Sequence, residues 1–401
     1  MKLNRNFHLL LTGQSLANIG DILYIVSIIY LIFELTGSAT AAAFVPFTIT
    51  ASMFLSNTLT PLLMERWNLK WLLAVSQIGK TGLLLALAFL MPQLALSNFV
   101  WLFFIISLAA LLDGCANPVT QSLIPLYVKN EHLLKANSLT ETVTQFIQTA
   151  MWFVGSSLLI WLTANDLLWI AAGLFLLSSM LLISLEPADF TPAKSQGKWR
   201  QISKGWKTVT QSPVLKRIAW MDVMETIAGT VWIAAILFVF VSDALLVDEK
   251  WWGFINGSFF LGLIGGSLFC LKFADWIDQR LSSLIFWGSA LTSLVTILFG
   301  LNSLPLLALL FSFLVGVFSQ LKNIPQQTVV QTSVPTAQLP TVYTTLGAIG
   351  TGTFGIASLM MGILADAYGI RSVFVLSGLL LGLVSLVAYQ GRSLFWRTAQ
   401  E

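Results

Sequence analysis

The chain has 401 residues, of which 56% are hydrophobic and only 10% charged, and its formal net charge is +3. A soluble domain carries about 25% charged residues, so this composition excludes a water-soluble enzyme or nucleic-acid-binding protein and places the chain in a lipid bilayer. The two cysteines, Cys115 and Cys270, stand alone in apolar segments, and His8 and His132 have no partner at ligand spacing. Neither a disulfide, a metal site nor a cofactor is expected from them.

The first apolar stretch runs from Gly13 to Ala39, long enough to cross a bilayer. The basic start MKLNRNF precedes it. The stretch is too long for the core of a signal peptide and lacks a small-residue cleavage site, so an uncleaved first span is expected. Its interior nevertheless holds Gln14, Ser15, Asn18 and Asp21. A carboxylate deep in a bilayer costs roughly 2.5–3.5 kcal/mol on insertion scales. Asp21 is therefore expected to look into a transport cavity, or else to cap a break at Gly20 or pair with a cation.

Eleven further apolar segments follow, giving spans at 7–35, 41–64, 71–91, 99–128, 134–162, 167–185, 214–246, 252–273, 281–301, 304–334, 342–365 and 373–389. The fold expected is all-α, with twelve transmembrane helices in two pseudo-symmetric six-helix bundles over residues 1–185 and 214–401. The polar stretch 186–213 is read as a cytoplasmic linker. In it Trp199, Ile202 and Trp206 recur at helical spacing among Lys198, Arg200, Lys204 and Lys207, the pattern of an amphipathic helix on a membrane surface. Cations gather on one side of these spans, with only Lys250 and Arg371 on the other, so both termini are expected in the cytoplasm of a cell-membrane protein.

A weak internal repeat supports two halves. An offset of 208 positions lays Gln14 on Asp222 and Tyr24 on Trp232, and an offset of 210 lays Gln121-Ser-Leu-Ile-Pro125 on Gln331-Thr-Ser-Val-Pro335. Parallel halves of this kind hold a solute between them near mid-membrane.

Buried charges supply the candidate sites. Asp222 and Glu225, three residues apart, share a helix face and suit proton binding or a cationic solute, although Asp222 could instead pair with Lys216 or Arg217. Asp113 and Lys322 lie 209 positions apart, at related depths in opposite halves. They are expected to form an opposed charge pair or to line one cavity, the alternative being a separate partner for each. Lys80 reads as structural, by snorkelling or by bonding a neighbour, and Glu141 as part of a network with Lys135. Tyr24 and Trp232, with Phe146, Trp152 and Phe259 behind them, are candidate cavity aromatics for a lipophilic solute. Glycines in the eighth and eleventh spans are expected to permit tight helix contacts.

Several motifs carry a family resemblance: Gly13-Gln14 with Gly20-Asp21, Leu35-Thr36-Gly37-Ser38-Ala39, Asn117-Pro118 with Ile124-Pro125, and Lys135-Ala136-Asn137-Ser138. On these the chain resembles the major facilitator superfamily, and within it the macrolide-efflux-type and enterobactin-exporter-type carriers. The resemblance implies alternating access, a small-molecule substrate, protons or another coupling ion as partner, no cofactor, and a monomer. It also implies a cytoplasmic gate between spans two and three, here Glu65, Arg66 and Lys70, with Pro61 and Asn68 where the family pattern has glycines. The string from Gly362 to Arg371 resembles the same gate but falls on the external side, and reads as a helix-ending turn with glycine in the left-handed position. The family's Gly-Pro antiporter motif is absent from span five, and Asp113 reverses the sign of the arginine that many drug antiporters carry in span four. The function expected is a non-enzymatic secondary transporter that exports a small lipophilic compound, coupled to protons through Asp21 and the span-seven acids. An importer or uniporter of a polar metabolite such as a sugar is the alternative, kept open by Gln14, Asn18, Asn256 and Gln331. A membrane enzyme or sensor is more remote, because no Ser/His/Asp set, histidine cluster or phosphate loop is present.

Overall fold

The computed structural model describes residues 4–36, 39–64, 67–93, 100–187, 198–232, 234–248 and 250–395. Every regular element among them is helical, as lipid requires of a chain that cannot leave backbone N–H and C=O groups unpaired. The first part of the chain forms α1 (Arg5–Thr36), α2 (Ala39–Leu59), the single turn α3 (Pro61–Met64), α4 (Leu69–Leu90), α5 (Val100–Tyr127), α6 (Leu133–Leu158) and α7 (Ala164–Ile183). After α8 (Lys198–Gln211) come α9 (Pro213–Gly229), α10 (Ala234–Val239), α11 (Lys250–Lys272), the short α12 (Ala274–Asp278), α13 (Leu281–Leu301), α14 (Pro305–Ser333), α15 (Leu339–Tyr368) and α16 (Ile370–Gln390).

Among the described residues nine helices are long and apolar enough to span a bilayer: α1, α4, α5, α7, α11, α13, α14, α15 and α16. The segment 214–246 supplies a tenth as a broken span, bent by 50° between Pro213–Trp232 and Ile236–Ala244. The other two expected spans are the helices α2 and α6, of 21 and 26 residues. α6 interleaves Asn137, Glu141, Gln145 and Gln148 with its apolar positions, which lowers its hydropathy for a reason that the site makes plain. The expected amphipathic helix of the polar stretch is α8, whose Trp206 is exposed.

The chain forms two compact units. The first comprises Met1–Lys129, Phe146–Trp206 and Thr336–Ala348. Its core joins Ile28, Ile32, Leu87, Leu102, Leu168 and Phe175, where α1 and α4 both pack on α7. The second comprises Asn130–Gln145, Lys207–Pro335 and Ile349–Glu401. Its core is aromatic, with Phe240, Phe299 and Phe374 mutually in contact at ring-centroid separations of 4.7–5.1 Å. Here Gly262 and Gly266 of α11 lie against the backbone of α14, as expected for close-packed helices, whereas Gly253, Gly350 and Gly355 have open space beside them.

The turn between α15 and α16 falls where the sequence places it, but its glycine is not in the left-handed helical region. Gly369 has φ 82° and ψ 155°, a backbone region essentially restricted to glycine. Two residues on, Arg371 donates to the carbonyls of Gly300, Asn302 and Ala244 and to Ser303 Oγ at 2.6–3.0 Å. Its planar fork of donors ties the end of α13 to the end of the broken span.

Candidate functional site

In the first unit α1, α4 and α5 bring three charges together. Lys80, midway along α4, is 1% exposed, and its Nζ bonds both Asp21 Oδ1 and Asp113 Oδ1. The rings of Phe175 and Tyr24 close over the ammonium at 4.4 and 5.7 Å from their centroids. Lys80 therefore does not snorkel; it is the shared counter-ion of two acids. The carboxylates are 26% and 18% exposed, so the triad is sealed on its cationic side and open on its anionic side. With all three groups ionised its charge is −1, and one proton on either carboxylate makes it neutral.

Gln14, Asn18 and Asp21 fall at i, i+4 and i+7, on one face of α1. Gln14 Nε2 donates to Thr120 Oγ1 of α5 at 2.9 Å, and Asn18 is half-buried. Tyr24 is 1% exposed, packed in the core and against Lys80. α1 buries more than one face, so position on the helix alone did not decide this residue.

In the second unit α9 faces α14. Lys322, 3% exposed, bonds Glu225, and one turn further along α14 Gln326 Nε2 donates to Asp222 Oδ1 at 2.7 Å. Two acids at i and i+3 thus meet a lysine and an amide at i and i+4. Asp222 takes this amide, where the sequence allowed Lys216 or Arg217. Asp113 and Lys322 each have a partner inside their own unit, the alternative that the sequence left open.

Beside these groups, wholly within the second unit, lies a cavity of about 630 Å³. One wall is Trp232 stacked on Phe259, centroids 5.7 Å apart and planes 12° apart. Trp232 and Phe259 line this cavity, whereas Phe146 is 62% exposed and the side chain of Trp152 lies outside the described residues. The polar groups of the lining are Glu225, Lys322, Gln320 and Asn323, with Glu141 and Gln145 from α6. Glu141 accepts from Gln145 Nε2 at 3.3 Å, so the expected network with Lys135 gives way to a place on the cavity wall. The stripe Asn137, Glu141, Gln145 at four-residue spacing marks that face of α6 in the sequence. Its first member forms a reciprocal amide pair with Gln331, at 2.7 and 3.2 Å.

Of the expected gate, Glu65 and Arg66 lie outside the described residues. Lys70 is 6% exposed with its ammonium 4.8 Å from the centroid of Trp71. Asn68, which replaces a glycine of the family pattern, caps α4 by accepting from Lys70 N at 3.0 Å.

The sequence profile of the Major Facilitator Superfamily matches residues 10–350. Curated relatives include two MFS-type transporters of Bacillus subtilis (strain 168). The chain is 26% identical to YfmI over 389 residues, 96% of each chain, and 27% identical to YjbB over 387 residues, 96% and 95% of the two chains. Among solved structures it is similar to the transporter FucP, with TM-score 0.78 and 13% identity over 97% of this chain and 99% of the other. It is likewise similar to a bacterial homologue of the iron transporter ferroportin, with TM-score 0.78 and 14% identity over 97% and 100%. At these identities the structural likeness carries the fold alone.

Proposed function

The chain belongs to the Major Facilitator Superfamily, and we propose that it is a proton-coupled transporter which exports a small organic compound with a lipophilic part. It is a multi-pass membrane protein of a family of transporters. The finer reading rests on one observation: Lys80, almost wholly buried, is held by two carboxylates from different helices. Removing ions from water costs several kcal/mol each, and an odd number of them leaves a charge that no partner balances. A proton on Asp21 or Asp113 removes that charge. Proton binding then weakens one of two bonds that tie α1 and α5 to α4, which is how a proton can bias helix packing. The acids of α9 face their own lysine and amide, and supply a second carboxylate site for the cycle.

Export is the direction of the carriers that the first-span motifs resemble, and the Trp232–Phe259 wall suits a solute with an apolar face. In this reading a monomer lies in the cell membrane with both termini cytoplasmic. Residues 1–185 and 214–401 act as its two bundles, and Glu65, Arg66 and Lys70 stand at its cytoplasmic gate. Uptake of a fluorescent lipophilic cation into inside-out vesicles tests the function. Uptake should follow an imposed proton gradient in the wild type and lose that dependence in Asp21→Asn. Uptake indifferent to both the gradient and the substitution would remove proton coupling from the triad.

A further inference from the structure

We infer that the cavity of the second unit binds an organic ammonium ion with an aromatic or alkyl group, and that Glu141 is its counter-ion. This deepens the transport reading above by naming the class of its substrate.

Three charged side chains face the cavity: Glu141, Glu225 and Lys322. Lys322 is bonded to Glu225, so that pair contributes little net field to the space beside it. Glu141 is met by the neutral amides of Gln145 and Gln320 and by no cation among the described residues. Its carboxylate is the unbalanced charge of the lining, and Asp222, beside the Lys322–Glu225 pair and held by Gln326, adds to the same sign. A low-dielectric site with excess negative charge favours a cation. An anion would meet Glu141 without compensation.

A second observation points to a donor on the ligand. Gln320, in the same wall, is 2% exposed, and its amide Oε1 has no hydrogen-bond partner among the described residues. A buried acceptor left unpaired loses its full solvation without compensation. A bound N–H satisfies it; a metal cation or a quaternary ammonium offers no such donor. The aromatic part of the lining then selects the rest of the molecule. The Trp232 face, backed by Phe259, gives area for an aromatic or alkyl group and an attractive π surface for positive charge nearby. An acid, an orphan acceptor and stacked rings in one cavity lining thus fit a primary or secondary ammonium carrying a ring.

The test is equilibrium binding to purified protein in nanodiscs, with no gradient, using three probes of one shape: 2-phenylethylammonium, 2-phenylethanol and phenylacetate. Trp fluorescence and calorimetry report the affinity. The ammonium should bind at least tenfold more tightly than the alcohol, and the carboxylate more weakly than either. Glu141→Gln should erase the preference of ammonium over alcohol while leaving the alcohol affinity within twofold. Equal binding of ammonium and alcohol by the wild type, tighter binding of the carboxylate, binding of none of the three, or an undiminished preference in Glu141→Gln would overturn the inference. The wild-type ranking alone decides it should the variant unfold. Because no proton gradient enters, failure here is separate from failure of proton coupling, which the vesicle experiment reads.

Discussion

Lys80 occupies the position that the 208-residue repeat maps onto Gly288, and Gly288 is the residue against which Lys322 packs. Each unit therefore has one buried lysine bonded to acid from a neighbouring helix, but the lysine comes from α4 in the first and from α14 in the second. The repeat preserves the chemistry and moves its source. At the position that carries the lysine side chain in one unit, the other has no side chain at all, and this opens room for the lysine of the adjacent helix.

Gly288→Ala tests that relationship. The added Cβ would stand 2.8 Å from Lys322 Cβ and 2.9 Å from both Lys322 N and Phe318 O. Two of these atoms are backbone, so α13 and α14 must separate. Overpacking of this kind costs about 1–3 kcal/mol. We expect a lower thermal unfolding midpoint in detergent and slower transport. An unchanged midpoint would show that the helices have slack here.

Lys80→Met should be more damaging than the loss of either acid. It removes the shared cation and leaves Asp21 and Asp113 facing each other, and breaking a buried ion pair by deleting one partner costs about 3–5 kcal/mol. The triple variant Asp21→Asn, Asp113→Asn, Lys80→Met should regain most of the lost thermal stability, because no charge is left uncompensated. It should not regain proton-driven transport. Recovery of gradient dependence in the triple variant would place coupling elsewhere.

Exchanging charges distinguishes the partner of Lys322. Glu225→Lys with Lys322→Glu should restore at least half of the unfolding midpoint lost by either single change. Asp113→Lys with Lys322→Asp should restore none, since those residues bond different partners. Recovery in the second pair but not the first would reverse this assignment.

How much of this could be read beforehand follows from what a sequence encodes. Asp21, Asp222 and Glu225 stood out because a carboxylate in an apolar run is costly wherever the run goes. Their partners did not, because helix-to-helix contact leaves no local pattern: nothing beside Lys80 marks it as lying against α1 and α5. The repeat suggested Asp113 with Lys322, but a repeat relates equivalent positions in separate units and says nothing of neighbours within one. The charge pattern points Glu141 towards Lys135, but six residues place the two about 240° apart around a helix of 3.6 residues per turn. Gln145, four residues on, was the geometrically available partner. The helical fold was legible because apolar runs of spanning length leave few alternatives, and the turn at Gly369 because the string ending at Arg371 has a glycine where a helix must stop.

Arg371 gives the last prediction, one of stability. Its guanidinium serves four oxygen acceptors from the end of α13, the loop after it and the end of the broken span, and its charge lies 5.9 Å from the centroid of Phe240. Lysine has the charge but only a compact ammonium, which cannot reach acceptors spread across a planar fork. Arg371→Lys should therefore lower stability by about 1–3 kcal/mol, the cost of leaving carbonyls unpaired, and Arg371→Met by at least as much. The ammonium-binding ranking should be untouched in both, because Arg371 is not in the cavity wall. Thermal unfolding alongside probe binding checks this. If Arg371→Lys keeps the wild-type midpoint, charge alone holds the turn, and the fork geometry is not what the fold uses.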